Sequence, residues 1–230
     1  MQPLNLLIDA DDTLWENNIY FERAFDEFVD YLDHSTLTPR EIRDVLDEIE
    51  RVNSKVHGYG SKNFGKNLVQ CYQHLVADHI SEEQARIITG LAERILEQAV
   101  EIIDGVPETL EYLAARHSLT VFTKGNADEQ KIKIDRSGLM PFFAHAQIVK
   151  EKDEQAYRGV LEARGLDPAV TWMIGNSPKS DINPALAAGM NAVFIPHART
   201  WVLEKEDLRT NGHRGRFLQL ESFRELRTAF

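Results

Sequence analysis

Three aspartates lie within four residues near the start of the chain, Asp9, Asp11 and Asp12, directly behind the largely apolar run Leu4–Ile8. Crowded carboxylates repel one another unless a cation or a proton sits among them. The cluster therefore points to metal binding, to acid/base work, or to both. A carboxylate can attack phosphorus and form an aspartyl-phosphate. A second carboxyl can protonate the leaving oxygen and later activate water. Asp9 and Asp11, two apart on an extended backbone, can both point toward one side of a site. Asp9 suits the attack and Asp11 the proton. The plain alternative is a pair of surface aspartates that merely end a strand.

Three later segments carry compatible chemistry. In Val121–Asn126 an apolar run ends at Thr123 and passes through Lys124, Gly125 and Asn126 into a helical pattern. A hydroxyl beside backbone N–H groups at a helix start suits a phosphate, so Lys124, Gly125 and Asn126 are expected to bind substrate. Alone, the same residues read more readily as an ordinary strand-to-helix turn. Next comes Lys150-Glu151-Lys152-Asp153-Glu154, from which a lysine could neutralise both a nucleophile and a phosphate; most such charge runs are solvated faces. The last is Met173–Ile182, where an apolar run ends in Gly175 and Asn176, and Asp181 opens a helix. A carboxylate there suits the helix dipole, and hard oxygen donors of this kind suit Mg²⁺.

Five short runs have the character of buried strands: Leu4–Ile8, Leu119–Phe122, His145–Val149, Val170–Ile174 and Ala192–Ile195. Helical patterns at Pro107–Arg116, Asp128–Ser137, Glu154–Arg164 and Asn183–Ala188 separate the later ones. This alternation indicates βαβ units and a Rossmann-like parallel sheet, in an α/β fold. Ligands of such sheets bind beyond the carboxyl ends of the strands, where all four chemical segments fall.

Residues 15–103 break the rhythm and read as helices. Thr38-Pro39-Arg40-Glu41 and Ser81-Glu82-Glu83-Gln84 are capping boxes. The expected organisation is a core of residues 1–14 and 104–230 with an all-helical cap domain at 15–103. The insert leaves the sheet right after the aspartates and is expected to act as a lid. His57–Phe64, with two glycines beside His57 and Tyr59, reads as a substrate-binding loop or as a simple helix connection.

A formal net charge of -11 without a basic block argues against a nucleic-acid partner. Cys71 is the single cysteine, which fits a reducing compartment. No stretch has the length of a signal peptide's apolar core or of a membrane span. The expectation is a soluble cytoplasmic protein, a monomer or homodimer with no membrane partner.

The ordered set resembles the haloacid dehalogenase-like hydrolase superfamily: D-x-D-x-T after one strand, Thr after the next, then Lys, then G-N-x-x-x-x-D. The likeness covers the core throughout, with the helical insert where that superfamily places its C1 cap. It implies that Asp9 is the nucleophile and Asp11 the general acid/base. Thr123 would bind the transferring phosphoryl group, and Lys152, with Lys150 as competitor, would be the motif lysine. Mg²⁺ would be held by Asp9, Asp11 through its backbone carbonyl, Asn176 and Asp181. The chain departs from the family pattern at Asn176, usually Asp, and in lacking a proline after Lys152. In this superfamily dehalogenases and phosphonatases lack the second aspartate, so Asp11 implies phosphoryl transfer. The expected activity is Mg²⁺-dependent hydrolysis of a small phosphorylated metabolite. Alternatives are a sugar-phosphate phosphomutase or a catalytically weak phospho-ligand-binding protein.

Overall fold

The computed structural model describes residues 2–32, 36–76 and 79–230. The chain divides into two compact units, residues 1–16 with 100–230, and residues 17–99.

The first unit holds six parallel strands: β1 Asn5–Ile8, β2 Ser118–Lys124, β3 His145–Val149, β4 Thr171–Gly175, β5 Asn191–Phe194 and β6 Phe217–Gln219. Their order is β3-β2-β1-β4-β5-β6. The central strand β1 pairs Ile8 with Val121 of β2 on one side and with Ile174 of β4 on the other. The chain winds outward through β2 and β3, then resumes on the far side of β1 with β4. Such a reversal opens a crevice beyond the carboxyl ends of the two strands that flank it.

The helices in chain order are α1 Asn18–Leu32, α2 Pro39–His57, α3 Ser61–Val76, α4 Glu82–Glu93, α5 Val106–Ala114, α6 Ala127–Ser137, α7 Glu154–Arg164, α8 Asn183–Ala187 and α9 Leu226–Ala229. Successive strand residues face opposite sides of the sheet. Leu6 and Ile8 join Val121, Ile174 and Val193 under α5 and α9, whose Val106, Leu110, Leu113 and Leu226 close that layer. Leu7 joins Phe122 and Met173 under Tyr157, Val160 and Leu161 of α7 and Ala185 of α8. Burial on both faces is the reason β1 reads as an apolar run rather than an alternating one.

The second unit is helical, with its own core of Phe25, Phe28, Leu46, Leu68, Cys71 and Ile88. Both capping boxes are formed. Thr38 and Ser81 accept from the N3 backbone at 3.3 and 3.2 Å, and Glu41 and Gln84 accept in return from the cap backbones. The segment expected as a His57–Phe64 loop is shorter than the sequence indicates. Only Gly58–Gly60 lie between α2 and α3, because Asn63 turns its amide back onto the carbonyls of His57 and Gly58. Gly58 and Gly60 take φ of 74° and 121°, which side chains disfavour.

The unit boundaries also differ from the sequence reading. Trp15 bridges Ile102, Glu16 N–H donates to the Glu101 carbonyl at 2.9 Å, and Ile103 N–H to the Leu14 carbonyl at 3.0 Å. Trp15, Ile102 and Ile103 thus pack with the sheet. Among the described residues, no helix is long and apolar enough to cross a membrane.

Candidate active site

The reversal at β1 brings together residues from three strand ends. Asp9 follows β1, and its N–H donates to the Ile174 carbonyl of β4 at 2.9 Å. Beyond it the chain turns sharply. Asp12 takes a left-handed φ of 59°, and its N–H reaches the Trp15 carbonyl at 2.8 Å. The turn swings Thr13 back, so that its hydroxyl donates to Asp9 Oδ2 at 3.0 Å.

After β4 the chain passes Gly175 and Asn176 into a widened turn. Asp181 N–H and Ile182 N–H both donate to the Ser177 carbonyl, the second closing a π-type bond. The turn places the Asp181 carboxylate where Ser177 N–H donates to Oδ2 at 2.9 Å. A Cβ on Gly175 would stand 2.2 Å from that Oδ2, so position 175 admits no larger residue without displacing the carboxylate. Asn176 lies beside Thr13, its Oδ1 3.4 Å from the Thr13 hydroxyl, and its Nδ2 donates to Thr200 at 3.2 Å.

Lys152, between β3 and α7, joins the two halves. Its ammonium donates to Asp9 Oδ1 and, at 2.7 Å, to Asp181 Oδ1. All three side chains are almost fully enclosed. Lys150 is exposed, so geometry favours Lys152 of the two lysines. Burial would lower the Lys152 ammonium, but the attraction of Asp181 and Asp9 outweighs it and raises the group. Asp9 moves in the opposite sense from an ordinary carboxyl. Burial first, then repulsion from Asp181, pushes it up to about 7 despite Lys152. One ammonium shared by two buried carboxylates leaves the pocket short of positive charge.

That shortage and the donor set fit a divalent cation. Asp9 and Asp181 offer carboxylate oxygens and Asn176 a neutral amide oxygen, the hard donors Mg²⁺ takes. The Asp11 carboxylate stands outside this donor set: it receives Trp15 Nε1–H at 2.8 Å, Gln130 Nε2 at 3.0 Å and Lys133 Nζ at 2.6 and 2.7 Å.

The residues expected to cradle phosphate after β2 have hydrogen-bond partners of their own. Lys124 Nζ is engaged by Glu204 at 2.6 Å and Ser180 at 2.8 Å. Gly125 N–H donates to the Val149 carbonyl at 3.1 Å. The Asn126 side chain caps α6, accepting from Asp128 N–H and Glu129 N–H. Thr123 is the member that reaches the cluster, through Gln130 Nε2 at 2.9 Å. Burial would raise the Glu204 carboxyl, but Lys124 and hydrogen bonds from Lys124, Ser180 and Ser177 hold it below the usual range. His57 and Tyr59 belong to the helical unit, at the α2–α3 turn.

Sequence reasoning missed Gln130, Lys133 and Glu204, and gave Thr13 no role. Gln130 and Lys133 stand three apart on α6, hence on one helix face, which is the signal available for them. Glu204 ends the short 3₁₀ turn Val202–Glu204 and carries no local signal.

A parallel sheet in this order, with buried carboxylates and a lysine at its reversal point, defines a Rossmann-like α/β core with a carboxylate-centred site. The model of the haloacid dehalogenase-like hydrolases matches residues 6–195, and the chain belongs to that family. It is similar in structure to a haloacid dehalogenase-like family hydrolase of Xanthomonas campestris, with a TM-score of 0.84 and 29% identity over 100% of this chain and 94% of that one. The HAD-hydrolase YfnB of Bacillus subtilis, described as bound to magnesium, gives 0.70 and 16%, covering 100% and 99%. A 2-haloacid dehalogenase of Pseudomonas syringae gives 0.63 and 21%, covering 98% and 96%. No curated protein matches the chain.

Proposed function

We propose that this hydrolase is a Mg²⁺-dependent phosphatase acting on a small phosphorylated metabolite in the cytoplasm. The observation that carries the reading is Asp11, a second carboxyl two residues beyond Asp9 at the same strand end. Expulsion of halide needs no proton, whereas an alkoxide leaving from phosphorus does. Asp9 Oδ attacks phosphorus, the P–O bond to the alcohol breaks, and Asp11 delivers its proton to the leaving oxygen. Water then attacks the aspartyl-phosphate and Asp11 takes up its proton, which frees inorganic phosphate and restores Asp9.

Lys152 holds the attacking carboxylate in place and offsets phosphoryl charge, and the Thr13 hydroxyl orients the second Asp9 oxygen. Asp9, Asp181, Asn176 and the Asp11 backbone carbonyl would hold the cation, which screens phosphoryl charge when bound. The Thr123 hydroxyl would donate to a phosphoryl oxygen. The helical unit would serve as the cap domain, with His57 and Tyr59 as its substrate-selecting residues.

The test is hydrolysis of an aryl phosphate and of a panel of phosphometabolites, with and without Mg²⁺, for wild type and Asp9→Asn. Magnesium-dependent release of phosphate, lost in Asp9→Asn, supports the reading. Absence of phosphate release across the panel, or halide release from a 2-haloacid in its place, refutes it.

A further inference from the structure

Asp11 is held more tightly than a residue on a strand-end turn requires. Its Oδ1 receives the Trp15 indole N–H and Lys133, and its Oδ2 receives Gln130 and Lys133. Trp15 belongs to the turn itself, but Gln130 and Lys133 come from α6, more than a hundred residues away. The Lys133 ammonium spans both carboxylate oxygens at 2.6 and 2.7 Å and is largely enclosed.

Gln130 shows that this is a built arrangement. Its Nε2 lies 3.0 Å from Asp11 Oδ2, 2.9 Å from Thr123 Oγ1 and 2.8 Å from the Lys124 carbonyl oxygen. Two of these three are pure acceptors, so the amide nitrogen must face them. Its Oε1, in consequence, is buried with no hydrogen-bond partner among the described residues. Buried polar atoms are rarely left so, and here the three acceptors outweigh the one orphan. Gly125 makes the room: a Cβ there would stand 3.1 Å from Gln130 Cγ and 3.2 Å from its Nε2. An amide nitrogen cannot accept a hydrogen bond, so the contact with Nε2 does not use the Thr123 proton.

We infer that Lys133 is a positioning residue for Asp11, and that with Gln130 it makes α6 a clamp. The clamp fixes the proton-carrying carboxyl and the phosphoryl-binding hydroxyl relative to each other. The inference rests on the phosphatase reading for its catalytic meaning, and on geometry alone for the contact.

Two measurements test it. The first is kinetic, on Lys133→Met and Lys133→Arg, with an alkyl phosphate and an aryl phosphate bearing an activated phenolate. An alkoxide leaving group depends on Asp11, whereas an activated phenolate leaves with little help. Lys133→Met should lower kcat on the alkyl phosphate by about tenfold and on the aryl phosphate by less than about threefold, with KM held within about twofold. Lys133→Arg should restore most of the alkyl activity. Equal losses on both substrates, or no loss, overturn the role of Lys133. If wild type hydrolyses neither ester with Mg²⁺, the phosphatase reading fails instead. The second measurement needs no turnover: the indole N–H resonance of Trp15, assigned with Trp15→Phe, should shift in Lys133→Met and return in Lys133→Arg. An unmoved resonance in a folded Lys133→Met protein overturns the clamp whatever the activity.

Discussion

The two units bury different things. The helical unit encloses an apolar cluster, Phe25, Phe28, Leu46, Leu68 and Ile88, buries Asn18, Glu50, Ser61 and Asn67 as well, and has the N-termini of α2 and α4 tied by side-chain caps. The sheet unit encloses apolar layers on both faces and, at one edge, a polar network of Asp9, Lys152, Asn176, Ser177, Ser180, Asp181 and Glu204. Apolar burial is indifferent to pH and to ions, whereas a buried ion network is conditional on both. The helical unit should therefore answer chiefly to packing changes, and the edge of the sheet also to protons and metal.

The largest expected effect is chemical. Asp9→Asn should lower turnover by about ten-thousandfold or more, as loss of an essential nucleophile does, while metal-free stability rises because a poorly compensated buried charge is gone. Turnover and thermal unfolding of the same sample check both halves. Lys152→Met should destabilise by roughly 3–5 kcal/mol, since it leaves two buried carboxylates facing each other. Leu46→Ala in the helical unit should cost a similar amount, about 2–5 kcal/mol, through its cavity. Denaturant melts at several pH values separate the two: the Lys152→Met deficit should shrink in acid and the Leu46→Ala deficit should not.

A subtler contrast concerns wild type. The Asp9 carboxyl titrates near 7 in the folded protein against an ordinary 3.8. Between these values the folded state holds a proton that the unfolded chain has released. Metal-free stability from this group is thus fully present below about pH 4 and is lost as pH rises through about 7. Thermal melts in a chelator should show that decline, Mg²⁺ should flatten it, and Asp9→Asn should abolish it. The smallest effect belongs to the caps: Thr38→Ala should cost about 1 kcal/mol at neutral pH.

Much of this contrast was legible in the sequence. The runs at Leu4–Ile8 and Val170–Ile174 read as buried strands because both faces are covered, and their polar ends read as a site. The capping boxes read directly, since their partners are three residues apart. What stayed hidden depends on distant partners. β6 is three residues long, with only Phe217 and Leu218 to mark it. The partner of the Lys124 ammonium, Glu204, lies 80 residues on and leaves no local trace. Asp181 reads as the start of an ordinary helix because nothing local signals the widened turn. Lys133 is one charge on a helix face until the fold sets it against Asp11.

The most direct test is to identify the covalent intermediate. Enzyme mixed with Mg²⁺ and a phosphoryl-labelled ester would be quenched within one turnover, then digested and mapped. Label is expected on the peptide containing Asp9 in wild type and on none in Asp9→Asn. Label on another residue, or steady phosphate release without any labelled peptide, would contradict the role of Asp9.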